Sequence, residues 1–457
     1  MLLRFGVENH RSIREYQEIS FVASKLRGTP EHLHEVPGLN EGVLPVLGLY
    51  GANASGKSNL LNAFYFMRHF VRNSHKDRSP GEATGRSPFL LDLQWKDKAS
   101  TFDCDFLLDN VRHTFGFRID DSSVIEEWLY SYPTGRRRVL YHRNTTDSDP
   151  FYFGKHLKGQ NRVIASLTRP DSLFLSAAAQ NNHAYIQQPY RFFTLRVHDT
   201  VRDSDLDLWL RYAVLDEAKR SPLVRMMQLA DTGIVHLRDK ADRRRQDKAP
   251  VSPGSLISQA QELLQRAGFN TDNTFSDSMN DFYERLSAID PQFGHEGEAG
   301  TVFLDFDDES EGTKKMAGYL ANTISALGMG TLIQIDELDA SLHPLLAQKL
   351  IRLFTDRATN PKGAQLLFTT HDTNLLSSDL LRRDEIWFTE KDDKGATRVY
   401  PLTDFHTRPT DNLERGYLQG RFGAIPFLGD LDQFISDFRI SDRSEDEAGP
   451  TNNSSGS

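Results

Sequence analysis

The chain has 457 residues, a formal net charge of −10 and a single cysteine, Cys104. That length suffices for a large core and more than one lobe. The acidic balance excludes a broad nucleic-acid-attracting surface, though not a local basic groove, and one cysteine excludes disulfide frameworks and cysteine metal sites.

Residues 1–30 hold no basic stretch followed by an apolar one, and no run is long enough to span a bilayer. Neither export by such a signal nor membrane insertion is expected, and a reducing cytoplasm fits. Met1–Val22 alternates around Leu3, Phe5 and Val7, breaks at 9–15, and resumes at Ile19 and Phe21. This predicts two strands of a hairpin or meander. Residues 25–42, with Pro30 and Pro37, predict a loop.

Val46–Tyr50 is apolar and strand-like, GANASGKS follows at 51–58, and Asn59–Phe70 places Leu60, Leu61, Phe64, Phe66 and Met67 at helical spacing. Strand, loop and helix are the context that the phosphate-loop pattern G-x-x-x-x-G-K-[ST] requires. The backbone N–H groups over Gly51, Asn53, Ala54, Ser55, Gly56, Lys57, Ser58 and Asn59 are expected to face the phosphates of ATP. Lys57 adds charge at the β/γ-phosphates and Ser58 offers a hydroxyl to Mg²⁺. The bland alternative is a Gly/Ser turn opening a helix.

Residues 88–153 alternate in FDCDFLLD, HTFGFRID and VIEEWLYSYP, predicting an antiparallel β-lobe flanking the nucleotide. The arginines at 136–138 are expected in a solvated turn. A helical and mixed insertion spans 154–300, including the charged KADRRRQDK at 240–248, PVSPGS and the helix-like SQAQELLQRAGF. It lacks the sustained heptads of a long coiled coil. The second half of the core runs over 301–440, completing the first half at 1–87, and the largely polar tail 441–457 is expected to be disordered.

In that second half, TVFLDFDDES is strand-like and leads to Ser310, Gly312 and Thr313, directly before a helix. Leu332–Ile335 predicts a buried strand ending in Asp336 and Glu337. Neighbours on a strand point apart, so one acid can face a metal ion and the other an attacking water. The strand AQLLFTTHD ends in His371. Alone, each element has an ordinary reading: Ser310 and Gly312 as a helix cap and turn, His371 as a surface polar residue.

These motifs together resemble ATP-binding-cassette ATPases of the RecF-like and overcoming-lysogenization-defect-like group. The resemblance is closest to the AAA-ATPase-like subunits of bacterial abortive-infection and anti-phage systems, such as PARIS-type or AbiL-type pairs. It rests on NHRSI at 9–13, GANASGKS at 51–58, ESEGTKK at 309–315, IDELDASLHP at 335–344, FTTHDTNLL at 368–376 and GRFGAIPFL at 420–428. It implies an α/β fold: an ABC-ATPase head with a mixed sheet, an antiparallel β-lobe and a helical insertion. Asp336 then matches the Mg²⁺-holding aspartate, Glu337 the catalytic glutamate and His371 the switch histidine. Ser310, Gly312 and Thr313 match the signature motif that reaches the opposite subunit's ATP, although only Ser-x-Gly survives of the usual LSGGQ. Asp339 matches the loop coupling two sites across a dimer. Gln94 lies where a metal-contacting glutamine follows the phosphate loop.

The resemblance further implies a head-to-tail dimer around ATP and Mg²⁺, or a larger ring. It implies a separate effector such as a Toprim or HNH nuclease, and a phage-encoded trigger. Little chain follows 430, so no effector domain is expected there. The competing expectation is a RecF-like DNA-repair ATPase that binds DNA ends or gaps; the net acidity counts against it.

Overall fold

The alternating segments pair into three sheets in a computed structural model that describes residues 1–26, 33–36, 39–200, 203–241, 286–408 and 411–425. The strands before residue 160 are β1 (Leu2–Glu8), β2 (Gln17–Ser20), β3 (Val46–Tyr50), β4 (Ser100–Leu108), β5 (Val111–Ile119), β6 (Val124–Ser131), β7 (Arg138–Asn144) and β8 (Phe151–Phe153). Then come β9 (Val197–Thr200), β10 (Ile234–Asp239), β11 (Pro291–Gly297) and β12 (Gly300–Asp305). The last four are β13 (Leu332–Ile335), β14 (Gln365–Thr369), β15 (Ile386–Lys391) and β16 (Thr397–Pro401).

The first sheet has seven strands in the order β2-β1-β4-β5-β6-β7-β8, and its pairs are antiparallel. Strand alternation sends Phe102, Cys104 and Phe106 of β4 to the core and Asp103 and Asp105 to the other face, where Arg4 pairs with both. Phe5 meets Phe64 of the phosphate-loop helix edge-on, with ring centroids 4.9 Å apart. The N-terminal strands therefore extend the β-lobe and join it to that helix.

The central sheet has the order β16-β15-β3-β14-β13-β9. Its pairs are parallel except that of β15 with β16. Every residue of β3, β13 and β14 is buried, as expected for strands covered on both faces. Leu47 and Leu49 join the core shared with the phosphate-loop helix and the seven-stranded sheet. Val46, Tyr50, Ile333 and Ile335 join the opposite core, with the helices Glu311–Met329 and Pro344–Thr355. The small antiparallel sheet β10-β11-β12 packs into this second core through Ile234, Leu237 and Phe293.

Two placements differ from the sequence expectation. The segment 197–200 lies within the stretch expected to be a helical and mixed insertion, yet as β9 it forms an edge of the central sheet beside β13. Arg138 is the first residue of β7, paired with Ser131, so the three arginines do not share one turn. In both cases pairing with a partner strand overrides weak local preference. Most of KADRRRQDK, all of PVSPGS and SQAQELLQRAGF, the last part of GRFGAIPFL and the tail lie outside the described residues. Among the described residues no helix is long and apolar enough to cross a membrane.

Candidate nucleotide-binding site

Three parallel strands deliver the candidate residues to one edge, since Gly51 follows β3, Asp336 follows β13, and His371 follows β14. Ligands of open α/β sheets sit at this carboxyl edge. The helix Lys57–Asn73 starts at Gly56 in a left-handed conformation, with no side-chain cap and no acid in its first turn. Its positive dipole end suits an anion, although the Asn59 N–H is donated to Gly56 O at 3.0 Å and the Ser55 N–H to Ala52 O at 3.2 Å, so these two amides are engaged within the loop. Ala54 at φ 62 and Gly56 at φ 112 give the loop its curl. Asn53, Ala54 and Ser58 are exposed, whereas Ser55, Gly56 and Lys57 are buried.

Lys57 Nζ donates to Gly51 O at 2.8 Å and Ala52 O at 3.1 Å, and lies 3.4 Å from His371 Nδ1. Residues 314 apart in the sequence thus meet across the cradle. Burial pulls the Lys57 ammonium down to about 8, and the charges of Asp336, Glu337 and Asp339 partly offset this.

The acid pair is fastened by a residue that sequence reasoning missed. Thr369 Oγ1 donates to Asp336 Oδ1 at 2.6 Å and accepts the Glu337 N–H at 2.7 Å. Glu337 itself sits at φ 53, left-handed for a residue with a side chain, a strain of roughly 1–3 kcal/mol that its surroundings must hold. Glu337 is exposed, whereas Asp336 is half-buried. Thr370 Oγ1 donates to Asp339 Oδ1 at 2.6 Å, and the His371 N–H reaches the same oxygen at 3.2 Å. Asp339 is therefore engaged with the His371 segment of its own chain. The threonine pair inside FTTHD was the available signal.

Ser310, Gly312 and Thr313 lie apart from this cluster. Ser310 caps the helix Glu311–Met329, its Oγ accepting the Thr313 N–H at 3.1 Å. Ser310 and Gly312 are exposed. Gln94 is exposed on the short helix Leu93–Lys96. Among the described residues no hydrogen bond ties the Gln94 side chain to the phosphate loop.

Two glycines let the loop pack directly on the β15–β16 hairpin: a Cβ at Gly51 would stand 2.4 Å from Thr389 O, and one at Gly56 2.1 Å from Thr397 Oγ1. The left-handed loop, Lys57 and the uncapped helix start fit a triphosphate. No group of three His, Cys, Asp or Glu side chains forms a metal cage among the described residues. Asp336 and the Ser58 hydroxyl suit Mg²⁺ held jointly with phosphates instead.

A family model described as "AAA domain, putative AbiEii toxin, Type IV TA system" matches residues 46–377. No curated protein matches the chain. Among solved structures, the SMC head domain from Thermotoga maritima is 11% identical with a TM-score of 0.35, covering 88% of this chain and 98% of that one. The Smc head domain with an extended coiled coil bound to the C-terminal domain of ScpA, from Pyrococcus furiosus, is 14% identical at TM-score 0.35, covering 88% and 96%. The Smc head domain with a coiled coil and joint from Pyrococcus yayanosii is 12% identical at TM-score 0.37, covering 92% and 99%.

Proposed function

This chain belongs to that AAA-domain family, and from that premise we propose that it is an ATPase whose two copies close head to tail around ATP and Mg²⁺ to control a separate toxic effector in anti-phage defence. The observation that carries the reading is the meeting of Lys57 with His371 beside an acid pair fastened by Thr369. The family description, which names a putative AbiEii toxin and a type IV TA system, supports the defence context.

In this reading the loop amides and Lys57 hold the β- and γ-phosphates. Ser58 and Asp336 hold Mg²⁺, which when bound neutralises charge developing on the phosphate oxygens. Glu337 orients the attacking water and accepts its proton. His371 hydrogen-bonds the γ-phosphate and keeps Lys57 turned toward it. Thr369 holds both acids in register, and Asp339 holds the His371 backbone. Ser310 and Gly312, exposed at a helix N-terminus, with the half-buried Thr313 beside them, present amides and a hydroxyl to the ATP of the second copy. Such an arrangement is two-fold symmetric. ATP joins the subunits and hydrolysis loosens them, so turnover acts as a timer. The effector is a second chain of nuclease type, Toprim or HNH, and a phage protein is the trigger.

The test is mass by light scattering on Glu337→Gln with ATP and Mg²⁺, alone and mixed with the product of the neighbouring gene. The expected result is a nucleotide-dependent dimer or larger ring that binds that product, with turnover slowed about a hundredfold or more. Normal turnover would remove Glu337 as the base. Salt-sensitive DNA binding without a co-complex would replace this reading by DNA-end or gap binding.

A further inference from the structure

The phosphate loop is held from a part of the chain that none of its own motifs marks. On the hairpin β15–β16, successive residues face opposite sides. On the inner face Thr389 Oγ1 lies 2.6 Å from Ser55 Oγ, and Thr397 Oγ1 donates to Ser55 O at 2.9 Å. Thr397 also meets Ser12, by Oγ1 to Oγ at 2.8 Å and by its N–H to Ser12 O at 2.7 Å. Ser12 Oγ in turn accepts from Asn59 Nδ2 at 2.6 Å. The hydroxyl of Thr397 occupies the space that a side chain on Gly56 would need.

The outer face of the hairpin carries the start of GRFGAIPFL, a motif that the catalytic reading leaves unused. Phe388 stacks on Phe422 and Tyr417, with centroids 5.6 and 5.7 Å apart. Tyr400 OH donates to Phe422 O at 3.0 Å, and the Ala424 N–H donates to Glu390 Oε2 at 3.4 Å. Tyr417 OH closes the turn on Ala424 O at 3.0 Å. Gly423 at φ 66 and Ala424 at φ 57 curl the chain there. A Cβ on Gly423 would stand 2.7 Å from both Glu390 Oε2 and Tyr400 OH. One two-stranded plate thus has the loop on one side and the turn on the other.

We propose that this hairpin is the positioning element of the phosphate loop, that Thr397 is its positioning residue, and that the 413–424 segment acts on nucleotide binding through it. The inference rests on the reading of 51–58 as an ATP loop. Its physical basis is the peptide unit between Ser55 and Gly56. A trans peptide points its C=O and N–H in opposite directions. Anchoring Ser55 O on Thr397 therefore aims the Gly56 N–H away from the hairpin, into the cradle. Losing the anchor lets that unit rotate. Losing the outer clamp lets Thr397 move.

The experiment pairs amide hydrogen exchange of the nucleotide-free protein with titration of a fluorescent ATP analogue. Thr397→Val keeps the side-chain shape and removes the hydroxyl. Exchange at Ser55, Asn59 and Leu60, whose amides bond within the loop and first turn, should rise about three- to tenfold. The Kd for the analogue should rise by the same factor, and KM should move more than kcat. Thr397→Ser should restore both. Tyr400→Phe, which removes only the outer hydroxyl, should move both in the same direction, by about twofold. Wild-type exchange in Thr397→Val or in Tyr400→Phe overturns the proposal, as does a Thr397→Ser protein no better than Thr397→Val. If the wild type fails to bind the analogue while exchange responds as stated, the ATP reading falls and the positioning role stands.

Discussion

The cradle at the carboxyl edge and the segment 310–313 are built on opposite plans. In the cradle nearly every candidate group is tied by another element: Ser55 by Thr389 and Thr397, Asp336 and Glu337 by Thr369, Asp339 by Thr370. Ser310 and Thr313 bond to each other within one helical turn. A Cβ on Gly312 would meet nothing nearer than Ser310 Oγ, at 3.8 Å. Among the described residues no hydrogen bond or ion pair joins 310–313 to the loop. The first region is preorganised inside one chain. The second is an open helix start with room for something from outside, and preorganisation of this kind is what lets fixed groups act on a bound charge without reorganising.

Variants on the two sides should therefore behave differently. The largest effect is expected for Lys57→Ala, which removes the charge at the cradle; ATP affinity should fall about a hundredfold in direct titration. Equal affinity in that variant would end the assignment of the loop. Thr369→Val should leave affinity within about twofold and lower kcat about tenfold, because it loosens both acids without touching the loop.

A change of pH sharpens the same contrast. Lys57 is held near 8 in the folded protein against its ordinary 10.5, and a bound triphosphate favours its charged form. Binding above about pH 8 must then take up a proton, so affinity is complete below that pH and falls up to about tenfold per unit as the pH rises toward 10.5. Calorimetry at about pH 9 in buffers of different ionisation enthalpy would register the uptake; buffer-independent heats would contradict it. The smallest effect belongs to the open side. Ser310→Ala should cost about 1 kcal/mol of stability as a lost helix cap and leave ATP affinity unchanged. A tenfold loss of affinity there would join the two regions and erase the distinction between them.

A separate acid response comes from the edge strand. His198 stacks on Trp209 and bonds Asn322 Oδ1 at 2.9 Å and Thr331 Oγ1 at 3.1 Å. Burial holds it down to about 4. Folded His198 stays neutral where the unfolded chain is charged, so its contribution is complete above about pH 6.5 and is lost as the pH falls toward 4. Urea melts across that window should show a smaller loss for His198→Gln than for the wild type.

The 51–58 loop and the acid pair stand out in the sequence because each is a run of neighbours with its own mechanical context. Gly and Lys at fixed spacing follow an apolar strand at 51–58, and two acids end another at 336–337. The hydroxyls that hold them were not legible. Thr397 and Ser12 are 385 residues apart, and threonine on a strand ordinarily signals nothing beyond β preference. The role of 197–200 was hidden for a related reason: VHDT has one apolar residue and gains its strand from β13.

The sequence by itself determined the local chemistry: a loop able to curl around phosphate, a strand ending in paired acids, a histidine ending the next strand. Local backbone preference and side-chain type suffice for these, since each is closed within a few residues. Only the tertiary structure decided which of them meet. The parallel order of β15, β3, β14 and β13 places four loop starts at one edge and brings His371 to Lys57. It leaves Ser310 exposed. It also sets one short hairpin between the phosphate loop and the C-terminal turn. Strand order arises from burial of both sheet faces by segments far apart in the chain, and no run of neighbouring residues carries that information.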